Sequence, residues 1–267
     1  MSRPTAVIGS TGKTGRRIVP RLLEAGVEVR PLGRSTEPSF DWEQPDAWPA
    51  ALAGVGRLYA AFVPDLAGPG AQEAIARLLE VAADAGVERI VLLSGRGEAG
   101  AQRCERLVLE SGIPAVVVRA SWFAQNFTEG MLRPVDGVIA LPAGTRREPF
   151  IDVNDIADVA VAALLEDGHE GRVYEVTGPE LLSFSDAADL LAESTGEEVH
   201  YVALEFDQFH AMLEAELDAA AADLLTDLCR EVFDGRNESV TTGVREALGR
   251  EPRPLREVFA QAVPASR

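Results

Sequence analysis

A glycine-rich turn near the N-terminus constrains the fold of this chain more than any other feature. It separates the strand-length apolar run Ala6 to Ile8 from the segment Arg16 to Ala25, whose apolar residues recur with helical spacing. Glycine permits a tight turn, and the free backbone N–H groups at the start of a helix attract the pyrophosphate of a dinucleotide. We therefore predict a dinucleotide-binding turn, with an ordinary strand-to-helix turn as the alternative. The turn consists of Gly9, Ser10, Thr11, Gly12, Lys13, Thr14 and Gly15.

Apolar runs of strand length alternate with longer amphipathic stretches through the first half of the chain. This alternation is typical of βαβ units, which build a parallel sheet with helices on both faces. It predicts an α/β protein with a doubly wound, Rossmann-type parallel sheet, in which ligands bind beyond the carboxyl ends of the strands. The predicted strands are 6–8, 27–32, 58–63, 89–93 and 115–118, and the predicted helices are 16–25, 71–85 and 101–111.

The regular alternation ends near residue 120. We predict that residues 1–120 form the nucleotide-binding core, joined by a returning strand near 172–177, and that residues 121–267 form a smaller, mostly helical substrate lobe interleaved with it. The region 205–233 has three open placements: on the core, over the pocket, or between the subunits of a homodimer. The helices predicted in this part of the chain are 154–165, 183–195, the region 205–233 and the tail 239–263.

Composition and charge narrow the function classes. The chain carries 25 basic and 43 acidic residues, a net charge of −18, which repels a phosphate backbone and argues against a nucleic-acid partner. Its two cysteines, Cys104 and Cys229, and its three histidines lack metal-ligand spacing, so neither a zinc site nor a disulfide framework is predicted. No apolar run approaches the roughly 20 residues of a membrane span, and no signal core precedes Gly9. We expect a cytoplasmic protein.

The end of the second predicted strand distinguishes between the two dinucleotides. NAD-binding folds place a carboxylate there, where it binds the ribose 2′-hydroxyl. Here the residues are Arg34 and Ser35, with no carboxylate to repel a 2′-phosphate. Arg34, together with Lys13, can pair with that phosphate, and Ser35 can donate a hydrogen bond to it. NADP(H) is therefore predicted in preference to NAD(H); the alternative is that Arg34 is a solvated loop arginine.

Five segments, spread over nearly the whole chain, form a second pattern. The glycine turn and Val27-Glu-Val-Arg-Pro-Leu-Gly-Arg34 lie at the N-terminus. The others are Arg119-Ala-Ser-Trp-Phe-Ala-Gln-Asn-Phe127, Phe150-Ile-Asp-Val-Asn-Asp-Ile-Ala-Asp-Val159 and Leu248-Gly-Arg-Glu-Pro252. In their order and spacing these segments resemble the NmrA-like family of atypical short-chain dehydrogenases/reductases. The resemblance implies a Rossmann fold, NADP(H) binding, and either quinone-reductase activity or a role as a redox sensor.

The resemblance also implies the residues of a pocket beside the cofactor. Ser94 ends the fourth predicted strand and can hydrogen-bond a substrate carbonyl, with a loop-capping serine as the alternative. Aromatic side chains suit a flat, apolar substrate, although adjacent aromatics are also typical of a core. For Asp41, placed near the adenine, turn capping is the alternative. The pocket and cofactor positions implied in this way are Asp41, Ser94, Trp122, Phe123 and Asn126. Phe62 lies at the end of the third predicted strand and would therefore pass beside the cofactor, although an apolar residue is also what a sheet end requires.

A catalytic pair typical of the wider superfamily is missing from this sequence. In the Tyr-xxx-Lys pair, lysine lowers the pKa of the tyrosine, which then acts as a general acid or base. This chain has one lysine, Lys13, and offers Ala101 and Glu105 where the pair would fall. The missing pair is compatible with what the resemblance implies, and on that resemblance we predict an NADP(H)-dependent oxidoreductase, without a metal site, that passes hydride to a quinone, enone or related carbonyl without the pair. A non-catalytic NADP(H) sensor acting through a protein partner, and an isomerase or ketoreductase specific to one metabolite, remain alternatives.

Overall fold

Residues 3–262, which the computed structural model describes, form strands and helices that alternate through the first half of the chain. The strands are β1 (Thr5–Ile8), β2 (Val29–Leu32), β3 (Arg57–Ala60), β4 (Arg89–Gly95), β5 (Ala115–Ala120), β6 (Val138–Leu141), β7 (Arg147–Glu148), β8 (Val173–Val176), β9 (Leu182–Ser183) and β10 (His200–Ala203). The helices are α1 (Gly15–Glu24), α2 (Trp48–Leu52), α3 (Ala71–Asp84), α4 (Ala99–Glu110), α5 (Asn126–Glu129), α6 (Val153–Leu165), α7 (Phe184–Thr195), α8 (Phe206–Glu214), α9 (Ala219–Val232), α10 (Gly243–Leu248) and α11 (Leu255–Ala262).

Six of these strands form one parallel sheet in the order β2-β1-β3-β4-β5-β8. β1 pairs with β2 on one side and with β3 on the other, so the strand order reverses between β1 and β3. Sheets of this kind bind their ligands in the crevice at the reversal, beyond the carboxyl ends of the strands. The predicted doubly wound α/β fold is confirmed.

Alternating side chains of each strand pack on opposite faces of this sheet. Ala6 and Ile8 of β1 join the buried cluster beneath α3 and α4, whereas Val7 joins the cluster beneath α1 and α6. Tyr59 of β3 is fully buried on the same side as Val7. Because helices cover both faces, the strands appear in the sequence as nearly continuous apolar runs, which is why the pattern predicted them.

A third buried cluster, rich in phenylalanine, lies in the later part of the chain. Helices α5, α7, α8, α9 and α11 contribute to it together with β6 and β10, which pair in parallel. Phe127, Phe184 and Phe209 are among its almost fully buried rings. The residues of this cluster fall within 121–267, the part of the chain predicted to form the substrate lobe. The division at residue 120 stays a prediction, and residues 1–2 and 263–267 of the two predicted parts lie outside the described residues.

The structure differs from the sequence prediction in several places. Four short strands were not predicted, β6, β7, β9 and β10, and neither were the short helices α2 and α5. The predicted helix 205–233 is two helices, α8 and α9. They separate because Asp218 caps α9, its carboxylate accepting the N–H of Ala221 at 2.9 Å. The returning strand predicted near 172–177 is β8, which extends the sheet beside β5.

Candidate functional site

The glycine turn, residues 9–15, connects β1 to α1 where the strand order of the sheet reverses. Gly9 has a φ of +76°, a left-handed conformation that favours glycine. A Cβ on Gly15 would lie 2.1 Å from the carbonyl oxygen of Gly9 and 2.8 Å from the Cα of Ser10, so only glycine fits there. The N–H of Gly12 donates to the carbonyl of Gly9 at 2.9 Å, which closes the turn.

The turn also has the features of an anion-binding site. The hydroxyl of Ser10 is buried and has no hydrogen-bond partner among the described residues, so a ligand can use it. The first turn of α1 contains no acidic residue, and Arg16 and Arg17 lie there instead. Thr14 is engaged, because its Oγ1 accepts the hydroxyl of buried Tyr59 at 2.9 Å. These features fit the pyrophosphate of a dinucleotide.

Arg34 and Ser35 follow β2 directly beyond the turn. The N–H groups of Gly9 and Ser10 both donate to the carbonyl of Leu32, at 3.0 and 3.2 Å, which holds the end of β2 against the turn. Arg34 is exposed and makes no hydrogen bond or ion pair with the residues that the structure describes. A free guanidinium two residues beyond this junction suits a 2′-phosphate.

A cleft of about 370 Å³ opens beyond the carboxyl ends of β3, β4 and β5. It adjoins the glycine turn through Lys13, and α9 of the lobe forms its opposite wall. Of the three placements left open for the region 205–233, α9 therefore lies over the pocket. Arg34, Ser35 and Asp41 do not line the cleft. The predicted residues that do line it are Lys13, Phe62, Ser94, Trp122, Phe123 and Asn126.

Asp41 and Phe62 have different roles. The carboxylate of Asp41 accepts the N–H of Glu43 at 3.1 Å. This contact is the turn capping that the sequence analysis gave as the alternative role of Asp41. Phe62 packs against Trp42, with ring centroids 4.8 Å apart, and forms part of the cleft wall. The contacts therefore favour a structural role for Asp41 and a lining role for Phe62.

Trp122, Phe123 and Asn126 follow β5 and are half-buried, and each lines the cleft. The ring of Trp122 stacks on Phe233 at 5.2 Å and meets Phe184 edge-on at 6.0 Å. Trp122 is thus part of the lobe core and of the cleft wall at the same time. Asn126, which begins α5, provides a polar group in an otherwise largely apolar wall.

Ser94 lines the cleft at the end of β4, but its hydroxyl hydrogen is already engaged. It donates to Oε1 of buried Glu105 at 2.6 Å. Nε of Arg119 binds the same oxygen at 2.9 Å. Glu105, which occupies the position where the superfamily lysine falls, therefore holds Ser94 and Arg119 in place. Toward the cleft, Ser94 can act as an acceptor.

Lys13 faces the cleft. A Cβ on Gly130 would lie 2.9 Å from Nζ of Lys13 and 3.1 Å from Oδ1 of Asn126, which places the ammonium beside that amide. Burial lowers the pKa of Lys13, an effect that the carboxylate of Glu129 opposes. Of the two cations predicted for the 2′-phosphate, Arg34 alone stands at the end of β2.

The cleft also contains residues that the sequence analysis missed. Two are acids, Asp65 after β3 and Glu98 directly before α4. Burial raises the pKa of both carboxyl groups, that of Glu98 to about 8, and neighbouring carboxylates add to the effect. The apolar residues of α9 recur with i, i+3, i+4, i+7 spacing. This spacing predicts that one face of the helix is buried, but it does not predict which part of the protein covers that face. The missed wall residues of α9 are Leu225, Leu228, Cys229 and Val232.

Two further findings concern residues 3–262. Within this range, no group of three or more His, Cys, Asp or Glu side chains could hold a metal ion. None of the helices found there is both long and apolar enough to cross a bilayer.

Known proteins are similar to this chain in sequence and fold. NAD(P)H azoreductase from Xenophilus azovorans is 30% identical over 96% of this chain and 96% of its own length. Agroclavine dehydrogenase from Claviceps fusiformis is 31% identical over 92% of this chain and 92% of its own. The solved structure of triphenylmethane reductase from Citrobacter sp., complexed with NADP(H), shares the fold with a TM-score of 0.79 and 22% identity, over 97% of this chain and 100% of that one. No family model matches the chain.

The fold, the glycine turn and the cleft define a Rossmann-type protein that binds NADP(H). Within that class the relatives identify an NAD(P)H-dependent oxidoreductase. The chain belongs to the NmrA-like family of atypical short-chain dehydrogenases/reductases, so the resemblance found in the sequence is confirmed.

Proposed function

We propose that this protein is an NADP(H)-dependent reductase that passes hydride to a flat, apolar acceptor such as a quinone, an enone or a related carbonyl compound, in the cytoplasm. The observation that carries the proposal is the position of the cleft, which lies beyond the strand ends and beside the glycine turn. Bound NADPH supplies the hydride for this chemistry. The names of the relatives, an azoreductase and a dehydrogenase, support a redox reaction.

Each part of the site has one task in this proposal. The N–H groups of the turn other than those of Gly9, Ser10 and Gly12, together with the free hydroxyl of Ser10, hold the pyrophosphate. Arg34 pairs with the 2′-phosphate. Trp122 and Phe123 offer aromatic surface to the acceptor, and Asn126 orients a polar group of it. Alignment of the acceptor with the cofactor is the main catalytic contribution, which can lower a barrier by on the order of several kcal/mol.

The proposed reaction does not use a Tyr-Lys pair. Tyr59 donates its hydroxyl to Thr14 beneath the glycine turn. Tyr174 and Tyr201 are hydrogen-bonded elsewhere, and none of the three tyrosines lines the cleft. Lys13, the only lysine of the chain, lies beside Asn126.

Replacing Arg34 tests the cofactor assignment. Arg34→Ala removes a charge-assisted contact to the 2′-phosphate, which is worth about 1.5–3 kcal/mol. We expect NADPH binding to weaken by roughly 10- to 150-fold. NADH binding should hardly change, because NADH has no 2′-phosphate. Fluorescence titration with NADPH, NADP+, NADH and NAD+ measures both effects.

Arg77→Ala is the matched control. Arg77 is an exposed arginine of α3 that pairs with Glu80 at 2.8 Å, so its removal changes the net charge by the same amount. We expect it to leave the affinity for all four dinucleotides unchanged. If Arg34→Ala weakened the binding of NADPH and of NADH equally, the assignment of Arg34 to the 2′-phosphate would be contradicted.

Oxidation of NADPH in the presence of menadione and a panel of enones tests the reaction itself. We expect acceptor-dependent turnover. Tight binding of NADPH without turnover would favour the redox sensor, and conversion of one metabolite without net oxidation would favour an isomerase. Failure to bind any dinucleotide would overturn the proposal.

A further inference from the structure

The carboxyl group of Glu98 lies in the cleft beside the end of β4. A Cβ on Gly95 would meet Oε2 of Glu98 at 2.1 Å and its Cδ and Oε1 at 2.3 Å, so the carboxyl group covers the Cα of Gly95. Both residues line the cleft, next to Ser94. Glycine at position 95 thus makes room for an acid at the strand end, where the acceptor is proposed to bind.

The carboxyl group of Glu98 makes no structural hydrogen bond with the described residues. It is the N-cap residue of α4, a position whose side chain ordinarily accepts a backbone N–H, but it makes no such bond. Glu231 of α9 caps the helix instead, with its Oε1 accepting the N–H of Ala99 at 2.9 Å. No hydrogen bond or ion pair joins the Glu98 side chain to another residue of the described range. Capping from a different helix therefore leaves Glu98 available to a ligand.

The charged groups that act on Glu98 are all acids. They are Asp65 from the loop after β3, Glu231 from α9 and Glu105 from α4 itself. Arginines pair with Glu105 and Glu231, but Asp65 has no cationic partner among the residues described. Burial, together with these like charges, raises the pKa of Glu98 to about 8. A carboxyl group in this setting keeps its proton at neutral pH.

The other titratable groups of the cleft compete poorly as proton donors. Arg96 is bound to Glu175 at 2.7 Å. Burial raises the pKa of the Cys229 thiol to about 12, too high for ready proton release at neutral pH. The hydroxyl hydrogen of Ser94 is engaged by Glu105. Asp65, whose pKa burial also raises, and Lys13 are the remaining candidates and therefore the rivals to be tested.

We propose that Glu98 is the general acid of this reductase and donates a proton to the acceptor as hydride arrives. The inference rests on the proposed function. In the balanced step the C4–H bond of the reduced nicotinamide breaks, its hydride forms a bond to the acceptor carbon, and the oxygen that gains the electron pair takes the proton of Glu98. The products are the reduced acceptor, the oxidised cofactor and a carboxylate, which regains a proton from water. Glu98 thus supplies what the missing tyrosine supplies elsewhere in the superfamily.

Glu98→Gln removes the proton and keeps the shape of the side chain. With saturating NADPH and a neutral enone, we expect kcat to fall by about 10²- to 10⁴-fold, the usual contribution of a positioned general acid. The acid form is the active one, so kcat of the unsubstituted protein should be level at low pH and decline above about pH 8, where Glu98 ionises. The variant should lack this decline. A cationic triphenylmethane dye needs no proton when it accepts hydride, so kcat with that dye should be the same for both proteins.

Three further variants test whether the proton comes from Glu98 or from another group. Glu148→Gln is the matched control, because Glu148 is another buried acid whose pKa burial raises to about 8, but it does not line the cleft. Its pH profile should match that of the unsubstituted protein. Asp65→Asn removes a like charge and should move the decline of kcat to lower pH. Lys13→Met should keep the decline.

Infrared difference spectra give a readout that needs no turnover. Between about pH 6.5 and pH 9.5 the unsubstituted protein should lose the band of a protonated carboxyl group as Glu98 ionises. Glu98→Gln should lack that contribution, whereas Glu148→Gln should retain it.

Several results would overturn the proposal. One is full enone turnover by Glu98→Gln. Another is an equal loss with enone and dye, which would make Glu98 a binding group. A third is loss of the pH-dependent decline in Lys13→Met or in Asp65→Asn. An ionised Glu98 in the infrared spectrum near pH 6.5 would also overturn it. If the protein binds NADPH but reduces no acceptor, the proposed function is wrong. The proposal that Glu98 is a general acid is then wrong as well, whatever the infrared spectrum shows.

Discussion

Gly15→Ala is expected to abolish NADPH binding, because its Cβ would lie 2.1 Å from the carbonyl oxygen of Gly9. That oxygen belongs to the backbone and cannot rotate away as a flexible side chain can, so the turn must open. The N–H groups that face the pyrophosphate then lose their alignment. The measurement is the rise in Tm on adding NADPH. At 100 times Kd this rise reflects about 2.7 kcal/mol of stabilisation, and in the variant it should vanish.

Gly178→Ala is the control for a steric clash of the same size elsewhere. Its Cβ would lie 2.1 Å from the carbonyl oxygen of Phe150, away from the glycine turn. We expect it to lower the Tm of the free protein but to keep the NADPH-induced rise. An undiminished rise in Gly15→Ala would mean that the pyrophosphate is held by another part of the protein.

The parts of the fold and site that could be predicted are those set by residues close together in the chain. Gly9 and Gly15 approach each other across a single turn, and their spacing is visible in the sequence. Ala6, Val7 and Ile8 are covered on both faces of the sheet, so they appear as an apolar run. Trp122 and the other residues after β5 were placed by resemblance to a family, not by spacing.

The acid in the cleft was beyond prediction because distant residues create its surroundings. Glu98 is one of 43 acidic residues, and nothing in its neighbours along the chain distinguishes it. Its carboxyl group is free because Glu231, far along the chain on α9, caps α4 in its place. Ser94 illustrates the same limit. A serine at a strand end is typical of a free donor, yet Glu105 accepts its hydrogen in the folded protein.

A buried ion pair beneath the cleft is the second feature for which we predict a large effect. Glu105 is 2% exposed, pairs with Arg119 and accepts the hydroxyl of Ser94. Arg119 also binds Glu175 at 3.1 Å, and the second carboxylate oxygen of Glu175 binds Arg96 at 2.7 Å. The pair thus connects β4, α4, β5 and β8 through one polar network. Breaking such a pair leaves a charge in a place that water reaches poorly.

Glu105→Leu is therefore expected to lower the free energy of unfolding by about 3 kcal/mol. This figure is the lower end of the range for a broken buried pair, and we choose it because the Arg119 side chain is 21% exposed. Urea unfolding measures the loss, provided that the slope m stays constant. Adding Arg119→Met should recover most of it, since both charges are then gone and Glu175 keeps Arg96 as its partner. Glu80→Leu, which breaks an exposed pair, is the control and should hardly change the midpoint. A similarly small change in Glu105→Leu would show that water compensates Arg119, and no recovery in the double variant would show that Glu175 depends on Arg119 for its place.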